Sequence, residues 1–360
     1  MDFLSLKVVD VKRQTPEAVS ISFKVPLFRK RDFRYKAGQY LTIKADLNGQ
    51  EVRRNYSFSS APNEKAVTIT VKEMPNGTMS KYLNREVKVG DSLMVHPPEG
   101  RFTLDTDKNL ARKVVFVAAG SGITPLMSHI KTLLVDEPKT ELLLLYGNKS
   151  EADIIFKDEL DALEAKHELF KAVHFISREE NPQNCTHWEP GRVSRENLYE
   201  VVKNNLGYPG HPVVPTYMLC GPGEMIEDLQ EYLYEILVPR LNVKTEFFTT
   251  GHAGEETETA NAETAGGVDC NATIRLNGEE RNVLIPAGSS VLEAVTDAGL
   301  DAPYSCTSGI CATCIAKQTE GSFDTSKNIS LGAADIEEGF ILTCSTFCLS
   351  DKAVIDYDEA

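Results

Sequence analysis

The chain of 360 residues has no long apolar run: its longest, Val114 to Ala119 and Leu142 to Leu145, are far too short to cross a bilayer and suit buried strands. No membrane association is expected. The opening Met1-Asp2-Phe3-Leu4-Ser5-Leu6-Lys7 lacks a basic segment followed by an apolar one, so no export signal and a cytoplasmic location are expected. A basic stripe interleaved with aromatics is also missing, which argues against nucleic-acid binding. Cys185 and His187 flank Thr186, but no second Cys/His pair completes a zinc site, and a surface loop is the better reading. Four of the eight cysteines, Cys185, Cys220, Cys270 and Cys348, are scattered without a disulfide framework, as suits a reducing compartment.

Positive charge is scarce toward the C-terminus. Residues 1–105 hold 18 Lys/Arg against 12 Asp/Glu, 106–248 hold 15 against 22, 249–268 hold none against 4, and 269–360 hold 5 against 15, giving −15 in all. Such asymmetry either steers docking with a basic surface or merely aids solubility.

The composition, 41% hydrophobic, supports three globular domains. Residues 1–106 alternate apolar and polar in short runs (Val19 to Val25, Tyr40 to Ala45, Val67 to Lys72, Ser92 to His96), predicting an antiparallel β-barrel. Over 107–248 the pattern becomes strand–helix alternation: strands at Val114 to Ala119, Leu142 to Tyr146, Ala172 to Ile176 and Thr216 to Leu219, with helices at 124–135, 151–165 and from about 223. That predicts an α/β domain with a parallel sheet whose ligand crevice lies at the strands' carboxyl ends. Residues 249–268, dominated by Gly, Thr, Ala and Glu, read as a flexible linker with a reach of roughly 25 Å, enough for the domain beyond it to shuttle. Residues 269–360 form the last domain.

That domain holds the most specific motif. Cys306, Cys311, Cys314 and Cys344 follow C-x4-C-x2-C…C with a final gap of 29 residues, the ligand pattern of a plant-type [2Fe-2S] cluster. Small residues between them let the loop turn its N–H groups toward the sulfurs. Cys348 could in principle replace Cys344 but reads better as a buried core thiol. A one-electron carrier of this kind requires an electron source.

Upstream, Gly120-Ser121-Gly122-Ile123-Thr124-Pro125 follows a buried strand and opens a helix, so two glycines admit a pyrophosphate and Thr124 is a candidate cap; a tight turn without ligand is the alternative. Cys220-Gly221-Pro222 ends another buried strand, where a planar ring has room to lie, although a lone cysteine is more often structural. In the barrel, Arg54-Asn55-Tyr56-Ser57 offers a cation, a stacking ring and a hydroxyl, with Arg54 and Tyr56 on one strand face. Gly77-Thr78-Met79-Ser80 is a turn into a helix start that can receive a phosphate.

These motifs, in this order, resemble the ferredoxin-NADP reductase family, here fused to a plant-type ferredoxin domain of β-grasp α+β fold. Among oxygenase reductases the chain is most similar to the reductase subunits of phenylacetyl-CoA epoxidases. The resemblance implies an enzyme that passes electrons from NADPH through FAD and the cluster to a separate oxygenase. Arg54 would hold the FAD diphosphate, Tyr56 would stack on the isoalloxazine, Ser57 would bond near its reactive nitrogen, and Val71, Gly77, Met79 and Ser80 would line the rest. Glu246 and Phe248 would approach the flavin; Gly120, Gly122 and Thr124 would cradle the nicotinamide dinucleotide, with Cys220 and Gly221 beside its ring. Ser57, Cys220 and Glu246 are thus the catalytic candidates.

Basic residues at Lys149, Arg178 beside Ser177, and Arg192 stand where NADPH-using relatives put theirs, so NADPH is expected over NADH, with Glu179 and Glu180 counting against it. Two alternatives stand: a reductase for a Rieske-type dioxygenase or another ferredoxin-dependent acceptor, and a non-catalytic redox-sensing module.

Overall fold

A computed structural model describes residues 3–185, 187–207, 214–248 and 267–360. The expected linker at 249–268 therefore lies, but for Gly267 and Val268, outside the described residues, as do Thr186 and residues 208–213.

The N-terminal region comprises β1 (Leu4–Thr15), β2 (Ala18–Lys24), β3 (Tyr40–Leu47), β4 (Gln50–Ser57), β5 (Val67–Lys72), α1 (Thr78–Arg85) and β6 (Ser92–Glu99). They form a six-stranded antiparallel sheet in the order β4-β3-β6-β1-β2-β5. Leu6, Val8, Ile21, Phe23, Ile69 and Val71 fill its core. Between β2 and β5 the register also places hydroxyls opposite one another, and Ser20–Thr70 and Ser22–Thr68 bond at 2.7 and 2.8 Å. Directly after edge strand β4, Phe58 pairs with Ile69 of the other edge strand, β5, so the chain curls the sheet toward closure as the barrel reading expects.

Next come β7 (Lys113–Ala119), α2 (Ile123–Asp136), β8 (Glu141–Asn148), α3 (Lys157–Lys166), β9 (Phe170–Ile176), β10 (Trp188–Pro190), α4 (Arg195–Leu206), β11 (Thr216–Gly221), α5 (Gly223–Glu235) and β12 (Val243–Phe247). All pairings in the sheet β10-β9-β8-β7-β11-β12 are parallel. Alternation along the strands sorts two cores: Phe116, Leu144 and Tyr146 pack with Ile130 of α2 and Leu160 of α3, whereas Val117, Leu143 and Leu145 pack with Leu198 of α4 and Leu229 of α5. Strand order runs outward from β7 and then reverses at β11. The switch point thus lies between them, where α/β sheets open a ligand crevice.

The helix expected over 151–165 is broken. Ser150 and Asp153 close a capping box around a 3-10 turn, and Phe156 takes φ 65° before α3 begins. The cause is the apolar run Ile154-Ile155-Phe156, all buried, which a continuous helix would have splayed over different faces.

The C-terminal region holds β13 (Cys270–Leu276), β14 (Glu279–Ile285), α6 (Val291–Asp297), β15 (Ile315–Glu320), β16 (Phe323–Asp324), α7 (Ala333–Glu337), β17 (Phe340–Leu342), β18 (Phe347–Cys348) and β19 (Lys352–Asp356). The mixed sheet β14-β13-β19-β15-β17, with β13 and β19 parallel, shares its core with α6 through Val291 and Val295.

Two compact units emerge. One gathers the described residues of Met1–Phe3, Thr42–Asn55 and His252–Ala360; the other gathers those of Leu4–Leu41 and Tyr56–Gly251.

Candidate redox active site

In the second unit, β11 and β12 pair in parallel with Cys220 level with Glu246. The Cys220 thiol stands 4.0 Å from the Glu246 carboxylate, and the Ser57 hydroxyl donates to the same oxygen at 3.4 Å. The three catalytic candidates therefore converge although they lie far apart in sequence. Burial of its carboxyl lifts Glu246 to about 8, partly opposed by the Ser57 hydroxyl. At neutral pH it is a protonated acid. Burial, and then the neighbouring Glu246, push the Cys220 thiol well up, so it stays a neutral, apolar wall. Phe248 donates its N–H to the Gly221 carbonyl at 2.8 Å and packs half-buried beside this group.

Tyr56 is half-buried, two residues beyond Arg54, whose guanidinium donates to the Arg53 carbonyl at 2.7 Å. Gly77 caps α1, and the Ser80 hydroxyl accepts the Met74 N–H at 3.1 Å, fixing the turn. Val71 and Met79 turn their side chains into the core, so only their backbone is positioned to line a ligand.

Gly120 adopts φ +54°, and a Cβ there would meet nothing within 4 Å, leaving an open approach for a ligand. Gly122 is the opposite case, since a Cβ would lie 2.1 Å from the Cys220 carbonyl oxygen. Thr124 is not the cap. The residues Gly120–Gly122 already wind into a 3-10 turn, the α-helix starts at Ile123 with Gly122 as N-cap, and Thr124 is buried inside the first turn. Tyr146 was missed by sequence reasoning: its hydroxyl donates to the Gly120 carbonyl at 2.9 Å, a link across neighbouring strands that no local pattern reveals.

Exposed Lys149, Ser177, Arg178 and Arg192 follow the ends of adjacent strands. Backbone bonds tie their loops together: Arg178 N–H to Lys149 carbonyl at 2.8 Å, and Gly191 N–H to Ile176 carbonyl at 2.8 Å. The Glu179 carboxylate accepts the Glu151 N–H at 2.7 Å, which engages it in the loop framework. Cys185 departs from the surface-loop expectation. It is buried against the parallel-sheet core, as a small apolar thiol favours, and burial raises it to about 11.

In the first unit, the cysteine loop already aims donors at sulfur. Ser308 and Cys311 N–H groups lie 3.5 and 3.4 Å from the Cys306 sulfur, and Gly309 N–H lies 3.2 Å from that of Cys344. Thr307 and Ala312 take φ 55°, a left-handed conformation that non-glycine residues adopt at a cost, here to wrap the loop. A Cβ on Gly309 would meet the Lys327 carbonyl at 2.3 Å. Among the described residues no three His, Cys, Asp or Glu side chains are placed to hold a single ion. A binuclear cluster, which takes two thiolates per iron, fits this donor set. Cys348 is buried in the core beside Cys270.

Family models agree with this division: an oxidoreductase FAD-binding domain matches residues 5–104, an oxidoreductase NAD-binding domain 116–231, and a 2Fe-2S iron-sulfur cluster binding domain 274–349. A 1,2-phenylacetyl-CoA epoxidase component from Escherichia coli (strain K12) is 30% identical, covering 99% of this chain and 98% of its own. The chain belongs to the ferredoxin-NADP reductase family, in the branch with a C-terminal plant-type ferredoxin. Another member of similar build, the ferredoxin reductase component of 3-ketosteroid-9-alpha-monooxygenase from Mycobacterium tuberculosis (strain CDC 1551 / Oshkosh), is 31% identical over 99% of this chain and 96% of its own. The solved phthalate dioxygenase reductase shares the fold, with TM-score 0.59 at 24% identity over 98% of both chains. This member of the family is an NAD(P)H-dependent flavin and iron-sulfur oxidoreductase of the kind that serves oxygenases. No helix among the described residues is long and apolar enough to cross a membrane.

Proposed function

We propose that the protein is the cytoplasmic reductase component of a phenylacetyl-CoA epoxidase-type monooxygenase, drawing on NADPH. The observation that carries the reading is the convergence of Ser57, Cys220 and Glu246 at the switch point of a chain that also bears the plant-type cysteine loop. The proposed boundaries are 1–106 for the FAD domain, 107–248 for the nucleotide domain and 269–360 for the ferredoxin domain.

When bound, FAD supplies two-electron to one-electron conversion, and the [2Fe-2S] cluster supplies one-electron carriage. The protein's own residues orient and shield. Arg54 would offer its cation to the diphosphate, Tyr56 its ring to the flavin, and the N–H groups opening α1 and α2 would be available to phosphates. Neutral Cys220 would let a nicotinamide ring approach without charge repulsion, and Glu246, favoured in its protonated form by burial, holds a proton at its carboxyl beside Ser57. Cys306, Cys311, Cys314 and Cys344 would hold the irons. Lys149, Ser177, Arg178 and Arg192 offer hydrogen-bond donors to a ribose 2′-phosphate, which supports NADPH, while the carboxylates of Glu179, bonded to the Glu151 N–H, and Glu180 count against it.

Anaerobic NADPH titration tests the reading: the flavin and cluster absorbance should bleach in turn, and the reduced protein should support turnover of an epoxidase oxygenase. An unbleached spectrum would favour the sensing module. The 31% identity to the ketosteroid relative favours a second reading, a steroid-type monooxygenase as acceptor, which the same assay with that oxygenase decides.

A further inference from the structure

Strands β8 and β9 pair as far as Asn148 and Ile176, and the loops that leave them carry Lys149 and Arg178. Hydrogen bonding does not stop where the strands do. The Ser177 N–H donates to the Asn148 carbonyl at 3.0 Å, and the Arg178 N–H to the Lys149 carbonyl at 2.8 Å. Beyond this point side-chain carboxylates take over from backbone carbonyls. Oε2 of Glu179 accepts the Glu151 N–H at 2.7 Å, and Oε2 of Glu151 in turn accepts the N–H groups of Gln183 and Asn184 at 2.9 and 3.2 Å. Glu151 is thus bonded in both directions, giving its N–H to one side of the neighbouring loop and gripping the other with its carboxylate. The Ser150–Asp153 capping box fixes its own turn. Pro182 and Cys185 are buried, which seats the loop independently of Glu151.

We propose that Glu151 is a positioning residue for coenzyme choice, whose carboxylate clasps residues 183–184 so that Lys149 and Arg178 are presented together to a ribose 2′-phosphate. The inference rests on the NADPH reading above and deepens it. Cations on two separate loops must each be ordered when the phosphate binds, whereas loops already sewn together have met part of that cost beforehand. The gain goes to the phosphate-bearing coenzyme alone. A carboxylate that accepts two N–H groups makes charge-assisted bonds, stronger than the amide-to-carbonyl bonds of a strand edge. The clasp also reverses the sign that charge alone dictates. A nearby carboxylate repels a phosphate, so on electrostatics removing Glu151 would favour NADPH; with the clasp, removing it disfavours NADPH.

The experiment measures ferricyanide reduction by NADPH and by NADH in the full-length holoprotein. In Glu151→Ala the ratio of kcat/KM for NADPH to that for NADH should fall about tenfold. Binding of 2′,5′-ADP, a competitive probe that carries the phosphate, should weaken relative to 5′-AMP in parallel. Glu151→Gln keeps an oxygen for the two amides without the charge, so it should recover most of the wild-type ratio. Hydrogen exchange over residues 179–185 should quicken in Glu151→Ala and much less in Glu151→Gln. Should Glu151→Ala load its cofactors poorly, Glu151→Asp, one methylene too short to reach both amides, carries the same expectation. A ratio that rises alike in the Ala and Gln variants would show repulsion and overturn the clasp, as would an unchanged ratio with unchanged exchange. A wild type that prefers NADH and binds 2′,5′-ADP no better than 5′-AMP would sink the NADPH reading itself, and the proposal with it.

Discussion

Replacing Glu246 by Gln should make the protein more stable at pH 8 while changing little at pH 5. Burial raises this carboxyl from 4.5 to about 8 in the folded protein. A folded pKa above the unfolded one means that the native state keeps a proton the unfolded chain has given up. The favourable contribution is thus fully present below about 4.5 and is lost as pH rises through about 8. A shift of this size corresponds to a ceiling of about 5 kcal/mol at about 1.4 kcal/mol per unit. Glu246 retains some exposure, and about 3 kcal/mol is a fairer expectation. Gln keeps the shape and stays neutral, so it removes that slope. Release of flavin on heating is the assay: between pH 5 and pH 8 the wild type should lose about 6 to 12 °C relative to the variant. Parallel decline of both proteins, or a variant less stable at pH 8, would refute the assignment of a buried neutral acid.

Three further outcomes are expected. Cys311→Ser should abolish the cluster spectrum while NADPH still reduces the flavin and, through it, ferricyanide; joint loss of flavin would contradict separate cofactor sites. Arg178→Ala should weaken NADPH far more than NADH, by about 1.5 to 3 kcal/mol or roughly one to two decades in kcat/KM, and equal effects would remove Arg178 from the phosphate site. Gly122→Ala drives a methyl group into the Cys220 carbonyl, so nucleotide affinity should collapse; unaltered binding would mean that α2 shifts freely.

Much of this architecture is legible from pattern. Buried strands such as Val114 to Ala119 stand out as unbroken apolar runs, and the cysteine spacing identifies its own loop. Short edge elements escape. Strand β10 has three residues and β12 is largely half-buried, so neither shows a clear apolar period. Thr124 looks like a cap in the sequence because nothing there reveals the 3-10 turn that uses up the residues ahead of the helix. Tyr146 escapes the sequence for a different reason. It holds the glycine turn through a hydrogen bond to Gly120 on the neighbouring strand, and single-chain periodicity carries no information about such pairings.

The pairing of β12 with β11 has a practical corollary for anyone dissecting this protein into parts. The same five residues, Val243–Phe247, shield the edge of a parallel sheet and deliver Glu246 level with Cys220. A fragment cut before Val243 would expose a row of unpaired amides and carbonyls, a template for aggregation, at the moment it lost its acid. A slip of one residue would be as damaging, because it turns Glu246 to the opposite face of the sheet. Aggregation resistance and the proposed catalytic acid would therefore be lost together, so poor behaviour of a shortened reductase fragment should be traced to this strand before any cofactor is blamed.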